Sequence, residues 1–391
     1  MAKNKKLSLF IFIDAFGWDI LKPVSFFDKE LPHRRKLESV LGYSSTAVPS
    51  ILTGRKPAEH GHFSFYYYDP ENSPFKLLAP LGVLPEFFAS RARIRNKLSQ
   101  VLKKALGYTG YFQIYNMPFK YIRMFDYCEK RDIFAPDGII HGDNIFTAAE
   151  LSGIDYHVSD WRKSEDDNFD SVMKAVDGGD IDWAFYYNAA LDGILHVYGA
   201  GSDRSLAQIE LYKKRLEKLF ASVKKNYRYF DIYVFSDHGM ANTRGSHNLW
   251  KDVDALGLRF GRDYAAVYDS TMARFWFMNQ DARAAINGLL ESKDYGQILT
   301  RKELEDYGAY FPDKKYGETL FIMNEKELIV PSFMGRKSIA GMHGFRPEAP
   351  SSMAMIMSNR ELPENVKAIT DIHSLMLKPI KKKMKNSAGA E

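Results

Sequence analysis

Asp231-Ile232-Tyr233-Val234-Phe235, running straight into Ser236-Asp237-His238-Gly239-Met240, reads as an apolar strand that discharges into an acid and a histidine. The same pattern occurs twice more. Leu7–Ile13 is a continuous apolar run, as expected of a strand buried on both faces, and it stops at Asp14. Asp182–Tyr187 is another run, and the segment after it reaches Asp192. In open α/β sheets ligands bind beyond the carboxyl ends of the strands. One acid at such a place is an ordinary helix cap. Three of them, two with a histidine close by, indicate a shared site.

Working outward, Ser205–Lys225 carries apolar residues at helical spacing among many charges, which predicts a surface helix. Strands alternating with helices argue for an α/β architecture with a central, mostly parallel sheet flanked by helices. Two regions interrupt it. An aromatic and basic insertion covers 62–136, and within it Glu86–Leu106 predicts a helix with Arg91, Arg93, Arg95, Lys97, Lys103 and Lys104 around an apolar stripe. Its structural reading is a solvated helix packed on the core. Its functional reading is peripheral contact with an anionic membrane surface. A small α+β lid is expected over 256–335, with a strand at Ala273–Met278, a helix at Asp281–Glu291 and a strand or hairpin over Glu318–Pro331. The core parts are then 1–61, 137–255 and 336–380, and Lys378 onward reads as a frayed basic tail, with 381–391 set apart as flexible.

Composition bounds these readings. The chain has 391 residues, enough for one large domain with insertions or for two domains. Its hydrophobic content of 45% and charged content of 26% are those of a globular protein. A net charge of +5 is too mild for a nucleic-acid specialist. The single cysteine, Cys128, excludes a disulfide framework within the chain and fits a reducing, cytoplasmic setting. Met1–Ile13 imitates a signal peptide, but its apolar run is short and ends in Asp14, so a first strand is expected. No apolar run approaches the roughly 20 residues of a spanning helix. Composition leaves the oligomeric state open.

The acids and histidines at the motif ends are Asp14, Asp192, His196, Asp237, His238 and His343, the last in Gly341-Met342-His343-Gly344. Asp192 and His196 are four apart and share one face if their segment is helical. Carboxylates with imidazoles form a donor set that suits zinc, with manganese as an alternative, and there are enough ligands for two divalent ions. Two ions close together clamp the attacking and leaving oxygens of a phosphoryl displacement. The nucleophile is expected in Tyr43-Ser44-Ser45-Thr46, where small hydroxyl residues open a helix whose N-terminus favours an anion.

This set of motifs resembles the alkaline phosphatase superfamily, and within it the type I phosphodiesterase/nucleotide pyrophosphatase branch. The matching parts are Asp14, the Ser44-to-Thr53-Gly54 segment with Pro57 and His60-Gly61, Asp192-x-x-x-His196-x-x-Gly199, Ser236 to Met240, and Gly341-x-His343-Gly344, in the family's order. The resemblance implies one metal held by Asp192, His196 and His343 and another by Asp14, Ser44, Asp237 and His238. It selects Ser44 as nucleophile by its spacing to Thr53, with Ser45 and Thr46 as alternatives. It implies hydrolysis of a phosphodiester or pyrophosphate bond through a phosphoseryl intermediate, with a phosphate ester as partner. The alternatives are a phosphomonoesterase or phosphoryl transferase on the same scaffold, and a membrane-associated binding protein with a vestigial site.

Nucleotide-cleaving relatives carry a nucleophilic Thr and, about twenty residues on, an Asn that contacts a phosphoryl oxygen. Here the nucleophile is Ser and the neighbourhood is Phe63-Ser64-Phe65-Tyr66. Ser64, Phe65, Asn188 and His247 are the candidate substrate contacts. His60 is expected to brace the helix end rather than bind metal.

Overall fold

The computed structural model describes residues 3–83 and 91–388. Its centre is a six-stranded sheet in the order His33–Leu37, Ala354–Ser358, Tyr227–Phe235, Lys3–Ile13, Trp183–Asn188, Tyr156–Val158. The last four are mutually parallel, and Ala354–Ser358 runs antiparallel to both of its neighbours. The three strands expected from their apolar runs are therefore adjacent. Their register is level, with Phe12 opposite Phe235 and Ile13 opposite Asn188. That register brings the segments following Ile13, Asn188 and Phe235 to one edge of the sheet.

Side chains alternate across a strand, so the central strand feeds two cores. Leu7, Leu9, Ile11 and Ile13 pack with Leu216, Leu219, Phe220 and Val223 of the helix Asp203–Asn226. Phe10 and Phe12 pack on the other face with Ala47, Val48, Ile51 and Leu52 of the helix Ser44–Thr53 and with Leu375 and Met376. Burial of each such side chain contributes about 1.5–3 kcal/mol. The sheet thus fixes the Ser44–Thr53 helix by its apolar underside.

Up to Ala388 the chain departs from the expected fraying, and the part of that expectation on 389–391 lies outside the described residues. The helix Ile372–Ala388 continues through Pro379, because Leu375, Met376 and Ile380 are buried against the sheet. Lys383 also pairs with Asp182 at 3.1 Å.

The region expected as a lid holds a four-stranded antiparallel sheet, Tyr264–Tyr268, Met272–Phe277, Thr319–Met323, Gly296–Ile298, backed by the helix Gln280–Glu291. The hairpin considered over Glu318–Pro331 does not form. Thr319–Met323 stays in the lid sheet, while Glu327–Ile329 pairs in parallel with Gly245–His247. The two interruptions also share one core. Tyr66, Phe112, Phe125 and Tyr127 of the first lie with Tyr264, Tyr268, Phe275 and Trp276 of the second.

The expected basic helix spans Ala92–Ala105, and the part of the expectation falling on 84–90, including Phe87, lies outside the described residues. Its buried stripe differs from the apolar one: Arg95 and Ser99 are buried, while Ile94 and Val101 are exposed. Arg95 donates to the carbonyls of Tyr115 and Met117, both at 2.7 Å, which satisfies its guanidinium inside. No helix of the described residues is long and apolar enough to cross a membrane.

Candidate active site

Ser44 opens its helix directly after Tyr43, so its side chain stands at the helix N-terminus. Its Oγ lies 3.0 Å from His238 Nε2. That nitrogen is 3.1 Å from Asp237 Oδ2 and 3.7 Å from Asp14 Oδ1. On the helix Ala190–Tyr198, Asp192 and His196 share one face as the spacing predicts, with Oδ1 and Nε2 3.3 Å apart. His343 Nε2 lies 3.6 Å from the same Asp192 oxygen. His343 stacks on His238 with ring centroids 3.7 Å apart. All six expected acids and histidines, and Ser44, are therefore brought together.

Two histidines are oriented in the same way. His238 Nδ1–H donates to the Gly239 carbonyl and His196 Nδ1–H to the Gly341 carbonyl, each at 2.9 Å. A backbone carbonyl cannot donate, so each ring, once deprotonated at Nε2, presents that lone pair to the centre. The carboxylates are likewise half-committed. Asp237 Oδ1 accepts from the backbone N–H groups of Ala15 and His238, and Asp14 Oδ2 accepts from Tyr187 Oη at 2.7 Å. Their other oxygens, Asp14 Oδ1 and Asp237 Oδ2, are buried without a hydrogen bond, as are Asp192 Oδ1 and His343 Nδ1. An unsatisfied buried polar group costs about 1–3 kcal/mol, and more when charged.

These orphaned atoms are the test of whether the residues fit metal ions, and they do. Asp192, His196 and His343 offer ligand atoms within 4.8 Å of one another, and so do Asp14, Asp192 and His238. The electrostatics ask for positive charge. Burial and the charges of Asp237 and Asp192 push the Asp14 carboxyl well above its ordinary range. Burial opposes charge on His238, yet Asp237, Asp14 and Asp192 raise it to about 10. Burial likewise opposes charge on Asp192, but its close contact with His196, aided by His343 and His238, holds it below the usual carboxylate range. Burial and the neighbouring His238 depress His343.

The glycines of the motifs are explained by close approach. A Cβ on Gly17 would lie 2.3 Å from Gly239 Cα, so the loops after Asp14 and Asp237 pack backbone to backbone. A Cβ on Gly341 would lie 2.5 Å from the Leu195 carbonyl, which lets the His343 segment sit against the Asp192 helix.

A cavity of about 360 Å³ opens on this cluster, and Ser44, Asp192, His196 and His343 line it. Ser64 and Phe65 line it as expected, and Asn188 and His247 do not. Asn188 is buried at the sheet end, where its carbonyl accepts from Asp14 N–H. His247 is drawn away by Glu327 Oε2 at 2.9 Å and stacks on Tyr295. His60 braces the helix as expected, through Ser50 Oγ at 2.9 Å.

Two features escaped sequence reasoning. Tyr187 sits inside a run that read only as strand. Arg274, wholly buried, donates to Asp269 Oδ2, the Tyr66 carbonyl and Ser64 Oγ at 3.0, 2.8 and 2.9 Å. A lone arginine within Ala273-Arg-Phe-Trp-Phe277 was the available signal for it.

Comparison with known proteins agrees with this geometry. The family model for type I phosphodiesterase / nucleotide pyrophosphatase matches residues 8–287. No curated protein matches the sequence. Among solved structures, murine ectonucleotide pyrophosphatase / phosphodiesterase 5 superposes with a TM-score of 0.66 at 15% identity, covering 96% of this chain and 95% of that one. The human protein of that name gives 0.68 at 13%, with the same coverage. Phosphonoacetate hydrolase from Sinorhizobium meliloti 1021, in complex with phosphonoformate, gives 0.65 at 14%, covering 96% of each chain. At these identities the structures speak for the fold.

Proposed function

The chain belongs to the type I phosphodiesterase / nucleotide pyrophosphatase family, and from that premise we propose that it hydrolyses phosphodiester or pyrophosphate bonds with Ser44 as nucleophile and two divalent ions, zinc by preference. Asp192, His196 and His343 would hold one ion, and Asp14, Ser44, Asp237 and His238 the other. When bound, such ions lower the pKa of a hydroxyl and neutralise phosphoryl charge.

The chain's own groups do the rest. The helix N-terminus holds Ser44 Oγ facing the carboxylate cluster and favours the incoming anion. Gly239 and Gly341 carbonyls fix the ring tautomers of His238 and His196. Tyr187 fixes Asp14. Ser44 Oγ, its proton released to solvent, bonds to phosphorus as the bond from phosphorus to the leaving alcohol, or to the leaving phosphate of a pyrophosphate, breaks, and the leaving oxygen takes a proton from solvent as it needs one. Water then attacks the phosphoserine, restoring the hydroxyl and releasing the remaining phosphate ester.

The observation that carries this reading is the convergence of three orphaned carboxylate oxygens on a serine at a helix N-terminus. The test is metal analysis of the purified protein beside a panel of bis(p-nitrophenyl) phosphate, p-nitrophenyl phosphate and phosphonoacetate. Stoichiometric metal with preferred cleavage of the diester supports it. Metal-free protein that no divalent ion activates overturns it.

A further inference from the structure

The cavity is lined by two unlike sets of side chains. Ser44, Asp192, His196 and His343 supply its polar chemistry. Another part of its wall is aliphatic, built from Leu328, Val330, Met334, Ile339 and Met342. Resting on the phosphodiesterase reading, we propose that this wall receives an extended aliphatic chain carried by one ester arm of the substrate, and not a nucleoside.

Three observations carry this. A planar base needs an open aromatic face or a slot between rings, and the aromatic side of this cavity is already stacked. Phe65 lies 5.6 Å from Tyr127 at 6° and 5.7 Å from Tyr115 at 26°, centroid to centroid. Tyr115 is further tied to Tyr111 through their hydroxyls at 2.8 Å. An intercalating base would have to part these rings.

A base also needs polar groups to read its edge, and two that line the cavity, Ser332 and Asp269, are committed. Ser332 Oγ accepts from the N–H groups of Met334 and Gly335 and lies 3.4 Å from Ser270 Oγ. Asp269 is held by Arg274.

What is left is an apolar surface containing two methionines, whose unbranched side chains repack around a flexible occupant. The volume, about 360 Å³, is at the small end of ligand cavities. It has room for a narrow chain beside the phosphoryl group. Lys337, exposed where it lines the cavity, leaves the rim polar.

The test is calorimetric titration of the zinc-loaded full chain with methyl-, butyl- and octylphosphonate, and with thymidine 5′-monophosphate. Affinity should rise along the alkyl series, by up to about fourfold per fully buried methylene. Octylphosphonate should bind more tightly than the nucleotide, and Met334→Glu should weaken octylphosphonate at least tenfold. Equal affinities across the series, or tighter binding of the nucleotide than of octylphosphonate, overturn the proposal. Binding is read without turnover. A rising series in a protein that cleaves no ester would therefore remove the hydrolase reading and leave this one, and hydrolysis with a flat series would do the reverse.

Discussion

Tyr187 Oη donates to Asp14 Oδ2 at 2.7 Å, joining the penultimate residue of one parallel strand to the residue just beyond the end of its neighbour. Tyr187 lies opposite Phe12 in the sheet register, so its ring stacks on Phe12 at 4.9 Å while its hydroxyl reaches the acid two residues further on. The bond holds one Asp14 oxygen and leaves the other turned to the centre.

Removing that hydroxyl should loosen Asp14 without emptying the core. Tyr187→Phe is expected to lower metal affinity about 10- to 100-fold, the usual effect of losing a group that orients a ligand. Unfolding stability should change by no more than about 1.5 kcal/mol. Metal titration and urea unfolding of the same variant check both numbers.

Ser44→Ala should abolish turnover while the protein keeps its metal, because six of the seven converging groups remain. Metal analysis and a single-turnover assay read this together. Turnover near that of the parent would transfer the nucleophile's role to Ser45, whose Oγ is buried without a partner.

Asp237→Asn and His343→Ala should each lower metal content. In the parent, removal of metal by a chelator should lower the melting temperature, since ions that bind only the folded chain stabilise it. Scanning calorimetry with and without chelator measures this. The two variants should show a smaller chelator effect than the parent.

Acid should destabilise the protein in a way traceable to His62. Burial, with Lys315 and His141 nearby, depresses His62 to about 3. Its ring already accepts the Ile140 N–H and faces the Cys128 thiol. The unfolded chain binds this proton near pH 6.5 and the folded chain does not, so the stability is complete above that pH. It is lost as pH falls from about 6.5 towards 3, by about 1.4 kcal/mol per unit. Urea midpoints between pH 8 and 4 should fall, and His62→Gln should flatten part of that slope.

Arg274→Met should destabilise the chain by about 3–5 kcal/mol, because it leaves the Asp269 carboxylate buried and uncompensated. Replacing Asp269 by Leu in the same variant should recover a substantial part of that loss. Denaturant unfolding of the single and double variants measures the recovery.

The sheet and the reactive cluster were legible because both follow from local pattern. Apolar runs ending in Asp14 and Asp237 mark the strands and their exits. The spacing of Asp192 and His196 declares a helical face. Asn188 misled because it closes its strand beside the site, yet its side chain turns back to the Phe12 carbonyl. His247 misled because its partner, Glu327, comes from a strand 80 positions away. The Arg274 network was out of reach for the same reason, since it joins segments some 210 positions apart. The helix at the chain's end was hidden by Pro379 and a lysine run, while the sheet-facing Leu375, Met376 and Ile380 decided its structure.

The two insertions interlock through their rings, so neither is a removable module. Excising 62–136 would lay bare Tyr264, Phe275 and Trp276 to water, and excising the lid would do the same to Tyr66, Phe125 and Tyr127. Each loss would forfeit several aromatic burials, each worth a few kcal/mol. Evolution or engineering that reshapes what this enzyme accepts must therefore transplant both segments as a pair, even though nearly two hundred residues of chain separate their starts.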